Sequence, residues 1–207
     1  MRGDFCFRTD LTGRPQLVSK LPENNFRLEF IRAVFPDALI LHIIRNGAEV
    51  ADSIKKIAPK WAWYGANDHK WKALAAYART RDAWKDLPEL CATDFERGLL
   101  EWRLSVETAV EQLDAFPQSA CLQVRYEDLL VRPVEVLEQI ERFIGLEPSD
   151  SVNRFAREKI SRRSPAISPE SLNAVQRRIA GDLLVRLGYE NTGWRKPPEK
   201  ESAGLPC

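Results

Sequence analysis

Three basic positions stand where an apolar run of strand length gives way to polar residues: Lys20 after 16–19, Arg45 after 38–44, and Arg125 with Tyr126 after 120–124. In an open parallel α/β sheet, ligands bind beyond the carboxyl ends of the strands, so these are the residues placed to meet one. Three cations converging on one sheet edge form an anion site, arginine supplying a planar fork of donors and lysine a movable point charge. Arg45 carries a second signal, because Ser53 follows on the helix that the Arg45-Asn46-Gly47 turn introduces. A guanidinium, a hydroxyl and the N–H groups at a helix start together grip a phosphate. Arg-x7-Ser arises often by chance, and its weight comes from standing behind a strand. Without that setting Arg45 reads as a strand-end ion-pair former, Lys20 as a solvated lysine, Ser53 as an ordinary helix serine and Tyr126 as a packed aromatic.

Other chemistries fall away on composition. The four cysteines, at 6, 91, 121 and 207, are too scattered for a metal knuckle or a disulfide framework and read as buried thiols. His42 and His69 are the only histidines, so no His-Glu-x-x-His helix exists and a Ser-His-Asp triad has little to draw on. His42 lies inside an apolar run and reads as a hydrogen-bonded core residue. Lys plus Arg (31) nearly balance Asp plus Glu (30), which excludes the broad basic footprint of a nucleic-acid or anionic-membrane binder. The longest apolar run, 38–44, is far short of the roughly 20 residues that span a bilayer, and no signal-peptide core follows the N-terminus. A soluble, cytoplasmic protein without metal is expected.

The elements that must position these residues follow from periodicity. Pro22 breaks the chain after the first strand, and Asn24 is placed to cap a helix carrying Phe26, Phe30, Ala33 and Val34, which Pro36-Asp37 stops. The continuous apolar run 38–44 has the pattern of a strand covered on both faces. Val50, Ile54 and Ile57 give the next helix its apolar side. A tryptophan-rich stretch (61, 63, 71, 84) has irregular period, with a helix expected over 71–84; its rings serve as packing or line an acceptor pocket. Leu99, Trp102, Val106, Ala109, Val110 and Leu113 mark a long amphipathic helix capped by Thr93 or Asp94. After the strand at 120–124, Pro133 opens a helix that Gly145 closes, and a last helix is expected over 169–187 with Gly188 as its stop. One α/β domain over 1–190, helix-rich in its C-terminal half, with a mobile tail over 191–207, is the expected organisation.

Three blocks, in order, resemble the sulfotransferases that use 3′-phosphoadenosine 5′-phosphosulfate: Lys20-Leu21-Pro22-Glu23-Asn24 through Phe35-Pro36-Asp37-Ala38; His42-Ile43-Ile44-Arg45-Asn46-Gly47 through Ser53; and Arg125-Tyr126-Glu127-Asp128-Leu129 through Phe143-Ile144-Gly145-Leu146. The resemblance implies a parallel-sheet fold of the P-loop NTPase type, in which Arg45 and Ser53 hold the 3′-phosphate, Tyr126 lies near the nucleotide and Lys20 near the transferring sulfuryl group. It implies in-line transfer to a hydroxyl or amine of a small-molecule or glycan acceptor, without metal. Glu23 is the one carboxylate beside the Lys20 block and so the candidate base, although a helix-start carboxylate is its ordinary role. The family's Gly-x-x-Arg-Ser-Gly-Thr-Thr phosphate loop has no counterpart, since no two of the ten glycines stand closer than five positions. An N-terminally truncated sulfotransferase is therefore expected, with a non-catalytic binding module or relic as the alternative. A kinase-like phosphotransferase is disfavoured by the missing Gly-Lys-Ser/Thr. Loss of a central strand should leave an apolar face or edge exposed near Ile40, through which the chain would oligomerise.

Overall fold

The structure is a computed structural model that describes residues 6–7, 17–160 and 167–189. The expectations for the tail over 191–207 fall outside these residues. The class is the α/β class expected, with a small parallel sheet and mostly helical content.

Near the N-terminus, β1 (Cys6–Phe7) pairs antiparallel with β2 (Leu17–Val18), apart from the parallel sheet. The strand expected to deliver Lys20 to the sheet therefore does something else. Its two apolar residues, 51% and 61% exposed, are too few to cross a sheet buried on both faces. Pro22 then starts a 3-10 turn, Pro22–Phe26, before α1 (Leu28–Val34). Asn24 caps no helix: its amide donates to Ser19 Oγ, and Arg27 holds the N-cap position of α1 without a side-chain bond.

β3 (Ile40–Ile44) leads through Asn46, whose side chain accepts the Ala48 N–H, into α2 (Gly47–Trp61). In the tryptophan-rich stretch the helix is α3 (His69–Arg79), ending earlier than expected. There the Thr80 hydroxyl donates to the Tyr77 carbonyl, a local bond that competes with helix continuation. α4 (Asp94–Leu113) is the spine of the molecule. Thr93 caps it as expected, in a reciprocal box with Glu96, and Leu99, Leu100 and Leu104 on it are fully buried. Gly98 lets α2 and α4 approach closely, since a Cβ there would stand 3.1 Å from the Ala51 Cα.

β4 (Cys121–Arg125) returns parallel to β3, Ile40 opposite Cys121 and Ile44 opposite Arg125. α5 (Tyr126–Val131), α6 (Pro133–Phe143) and α7 (Asp150–Lys159) follow. The last expected helix is broken into a 3-10 turn, Pro169–Ser171, then α8 (Ala174–Ala180) and α9 (Leu183–Arg186). Gly181, at φ +63°, makes the break between the two helices.

Among the described residues, β3 is covered on one face only. His42 and Ile44 point into the core, whereas Leu41 (36% exposed) and Ile43 (48%) point outward. The sequence expectation of burial on both faces fails because α6 packs on β4, where Val124 and Val136 are buried, and nothing described covers the β3 half of that face. His42 is a core residue as expected, 5% exposed, but neither ring nitrogen has a hydrogen-bond partner.

Candidate functional site

Because Ile44 and Arg125 are paired, Arg45 and Tyr126 leave the sheet side by side at the carboxyl ends of two parallel strands. The Arg45 guanidinium lies over the Tyr126 ring, 4.8 Å from its centroid, a stacking geometry that suits arginine. Its Nε and Nη2 also donate to Glu49 Oε2, at 3.1 and 2.8 Å. Glu49 stands one helical turn before Ser53 on α2, so both occupy one face of that helix. Arg45 and Ser53 thus lie toward the same side of α2, with a carboxylate between them and already on the guanidinium. Ser53 itself is exposed. Sequence reasoning did not single out Glu49; its i+4 spacing from Arg45 is the signal that could have found it.

The turn that carries Arg45 is fixed from two directions. Glu127 accepts the Asn46 backbone N–H through Oε1 and the Tyr189 hydroxyl through Oε2, each at 2.9 Å. Arg125 completes the clasp by donating to the Leu187 carbonyl and lying 4.4 Å from the Tyr189 ring centroid. Burial first, and the Glu127 carboxylate second, hold the Tyr189 phenol well above its ordinary pKa, so it stays a donor. From the other side Trp102 on α4 donates Nε1–H to the Arg45 carbonyl at 3.0 Å. Glu127→Ala should cost roughly 2 kcal/mol, because it strands the Asn46 N–H and removes the acceptor of the Tyr189 hydroxyl. Glu127→Gln should cost less, since the amide oxygen can still accept one bond. Urea titration measures both, and an unchanged midpoint for Glu127→Ala would mean that the clasp carries no stability.

Lys20 and Glu23 stand between β2 and α1, outside the parallel sheet. Lys20 is exposed and makes no hydrogen bond or ion pair with a described residue. Glu23 pairs with Lys70 Nζ at 3.5 Å. Lys70 also pairs with Glu101 at 2.7 Å and lies 4.0 Å from the Trp63 ring centroid, while Trp63 Nε1–H donates to Glu101. No hydrogen bond, ion pair or ring contact among the described residues joins Lys20 or Glu23 to Arg45, Ser53 or Tyr126 directly. The link is indirect: Glu101 and Trp102, neighbours on α4, hold the Glu23–Lys70 pair and the Arg45 turn respectively. Of the three cations expected at one sheet edge, Arg45 and Arg125 stand at the ends of β3 and β4, whereas Lys20 follows β2, which is not a strand of that sheet.

Trp84 and Trp102 are buried, and Trp63 and Trp71 pack against the main core. A cavity of about 330 Å³ lies between Lys55, Thr93, Phe95, Ile167 and Leu172 and includes none of the candidate residues. Among the described residues no cluster of His, Cys, Asp or Glu is arranged to hold a metal, and no helix is long and apolar enough to cross a membrane.

An arginine stacked at the ends of paired parallel strands, beside a helix start, defines an α/β protein with a candidate anion site. Comparison with known proteins gives that class a family: residues 5–150 match the Sulfotransferase family, and the chain belongs to it. Protein-tyrosine sulfotransferase A of Caenorhabditis elegans is 23% identical over 138 residues, 67% of this chain. The chain spans 30% of that relative's length. The solved sulfotransferase domain from the curacin biosynthetic pathway aligns over 82% of this chain and 60% of its own, at 16% identity and a TM-score of 0.48.

Proposed function

We propose that the chain binds 3′-phosphoadenosine 5′-phosphosulfate, with Arg45 and Ser53 on the 3′-phosphate and Tyr126 beside the nucleotide, and transfers the sulfuryl group to a hydroxyl or amine. The acceptor is a small molecule or a glycan, and the tyrosine sulfotransferase relative adds a phenolic hydroxyl to those worth screening. The observation that carries the reading is the Arg45 guanidinium stacked on Tyr126 at the carboxyl ends of two parallel strands. In the transfer the bond from sulfur to the phosphate oxygen breaks as the bond from sulfur to the acceptor forms. The acceptor proton passes to a base and positive groups offset charge on the sulfuryl oxygens. Lys20, free of described partners, is the proposed cation for that charge. Glu23, the proposed base, must first leave Lys70.

One observation favours a second reading, a binding module without turnover. Glu49 occupies the same edge of Arg45 that a phosphate would take, and Glu127 lies close by, so the strand ends carry little net positive charge. The proposed site therefore works by exchange, phosphate replacing carboxylate on the guanidinium.

Calorimetric titration with adenosine 3′,5′-bisphosphate tests this directly. The folded wild-type protein should bind, Arg45→Ala should weaken binding about ten- to a hundredfold, and Glu49→Gln should tighten it by freeing the fork. Absence of binding by the folded protein overturns the reading. Binding without sulfuryl transfer from labelled donor across hydroxyl and amine acceptors selects the module over the enzyme.

A further inference from the structure

β3 and α1 each present an exposed apolar surface. On one face of the strand, Leu39, Leu41 and Ile43 are 47%, 36% and 48% exposed. On the other face Ile40 shares a small cluster with Ile31 of α1, which sets that helix on the Ile40 side, and α1 with the residue after it presents Phe30, Val34 and Phe35, at 65%, 50% and 48% exposure. β3 pairs with β4 alone, so its second row of backbone N–H and C=O groups has no strand partner among the described residues.

Edges of this kind are normally blunted by a lysine, a proline, a bulge or a covering helix. The run from Ala38 to Ile44 carries no charge and no proline. The six side chains together offer on the order of 500 Å² of apolar surface, and the strand backbone brings this toward the ~800 Å² per partner of a standard interface. A formal charge of +1 leaves little repulsion between copies.

We propose that a second copy of this chain occupies this surface, β3 against β3 in antiparallel register about a twofold axis, making a four-stranded sheet in the order β4-β3-β3-β4. Antiparallel pairing of a strand with itself is self-complementary, so one patch serves both copies and the assembly closes at two. The edge supplies main-chain bonds, and the flanking side chains of α1 and of the outward face of β3 supply the buried area.

Sedimentation velocity of the full chain across a concentration series is the test, with Ile43→Lys and Leu41→Lys as variants. Both positions face outward, so the fold has no need of them, and a cooperative thermal melt verifies it. The expected result is a wild-type dimer in which the β3 amides not bonded to β4 resist hydrogen exchange, and a shift to monomer of tenfold or more in dissociation constant for each variant. A cooperatively folded wild-type monomer at tens of micromolar overturns the proposal, leaving the edge to another partner. Open-ended aggregation, or a dimer that the lysines leave intact, overturns it equally.

Discussion

Between neutral pH and about pH 4 the protein should lose roughly 3 kcal/mol of stability through one side chain, His42. The imidazole stands on the inward face of β3, 5% exposed, with neither nitrogen hydrogen-bonded. Burial disfavours the imidazolium and lowers the pKa from 6.5 to about 4. Gln123, opposite it in the parallel pair, offsets this only slightly, since no hydrogen bond of ordinary geometry joins the two. In the unfolded chain His42 takes up its proton near pH 6.5, so the unfolded state binds more protons than the native state between that value and about 4. Its contribution is therefore fully present above pH 6.5 and falls by about 1.4 kcal/mol per unit on acidification until the native ring also titrates. His42→Leu should flatten this part of the profile. At neutral pH it should be neutral or mildly stabilising, because an unpartnered buried polar group gives way to an apolar one of similar size. Urea unfolding of both proteins across this range decides it: parallel curves for wild type and His42→Leu would show that the acid sensitivity lies elsewhere.

What the sequence disclosed, and what it hid, divide along a physical line. Arg45 and Tyr126 were legible because a continuous apolar run ending in a charged residue is a local pattern, and the parallel pairing of β3 with β4 then made them neighbours. The Thr93 cap, the Pro133 start and the Gly145 stop were legible for the same reason, each being decided within one turn of helix. The strand before Lys20 was assigned to the wrong sheet because the partner of a two-residue strand is not encoded in the strand. Coverage of β3 was misread because period alone cannot tell an apolar strand buried on both faces from one left open on one side. Glu127, within a block already recognised, had no visible role, because its partners Asn46 and Tyr189 are 81 and 62 residues away. The role of Trp102 was hidden likewise: its place on an apolar stripe was plain, its bond to the Arg45 carbonyl was not.

That bond underlies the second large effect, at Gly47. Local propensity alone would welcome alanine at the head of α2, by up to about 1 kcal/mol over glycine. Packing says the opposite. A Cβ at Gly47 would stand 2.4, 2.5 and 2.7 Å from three carbons of the Trp102 ring system, closer than any real contact. The ring is 4% exposed and anchored by its bond to the Arg45 carbonyl, so it has nowhere to retreat. Overpacking of a tight core together with loss of the anchoring hydrogen bond amounts to roughly 3 kcal/mol, which outweighs the helix preference. Gly47→Ala should accordingly destabilise the protein by about that amount, and should also weaken any anion binding at Arg45, whose backbone the displaced ring no longer holds. The cause is separable by a double-mutant cycle with Trp102→Leu, a change that lowers stability on its own but opens space over Gly47. In that background the added methyl meets no ring, and Gly47→Ala should be neutral or slightly stabilising. If the alanine costs the same in both backgrounds, the helix start and not the tryptophan limits this position, and the account of how Arg45 is held in place fails with it.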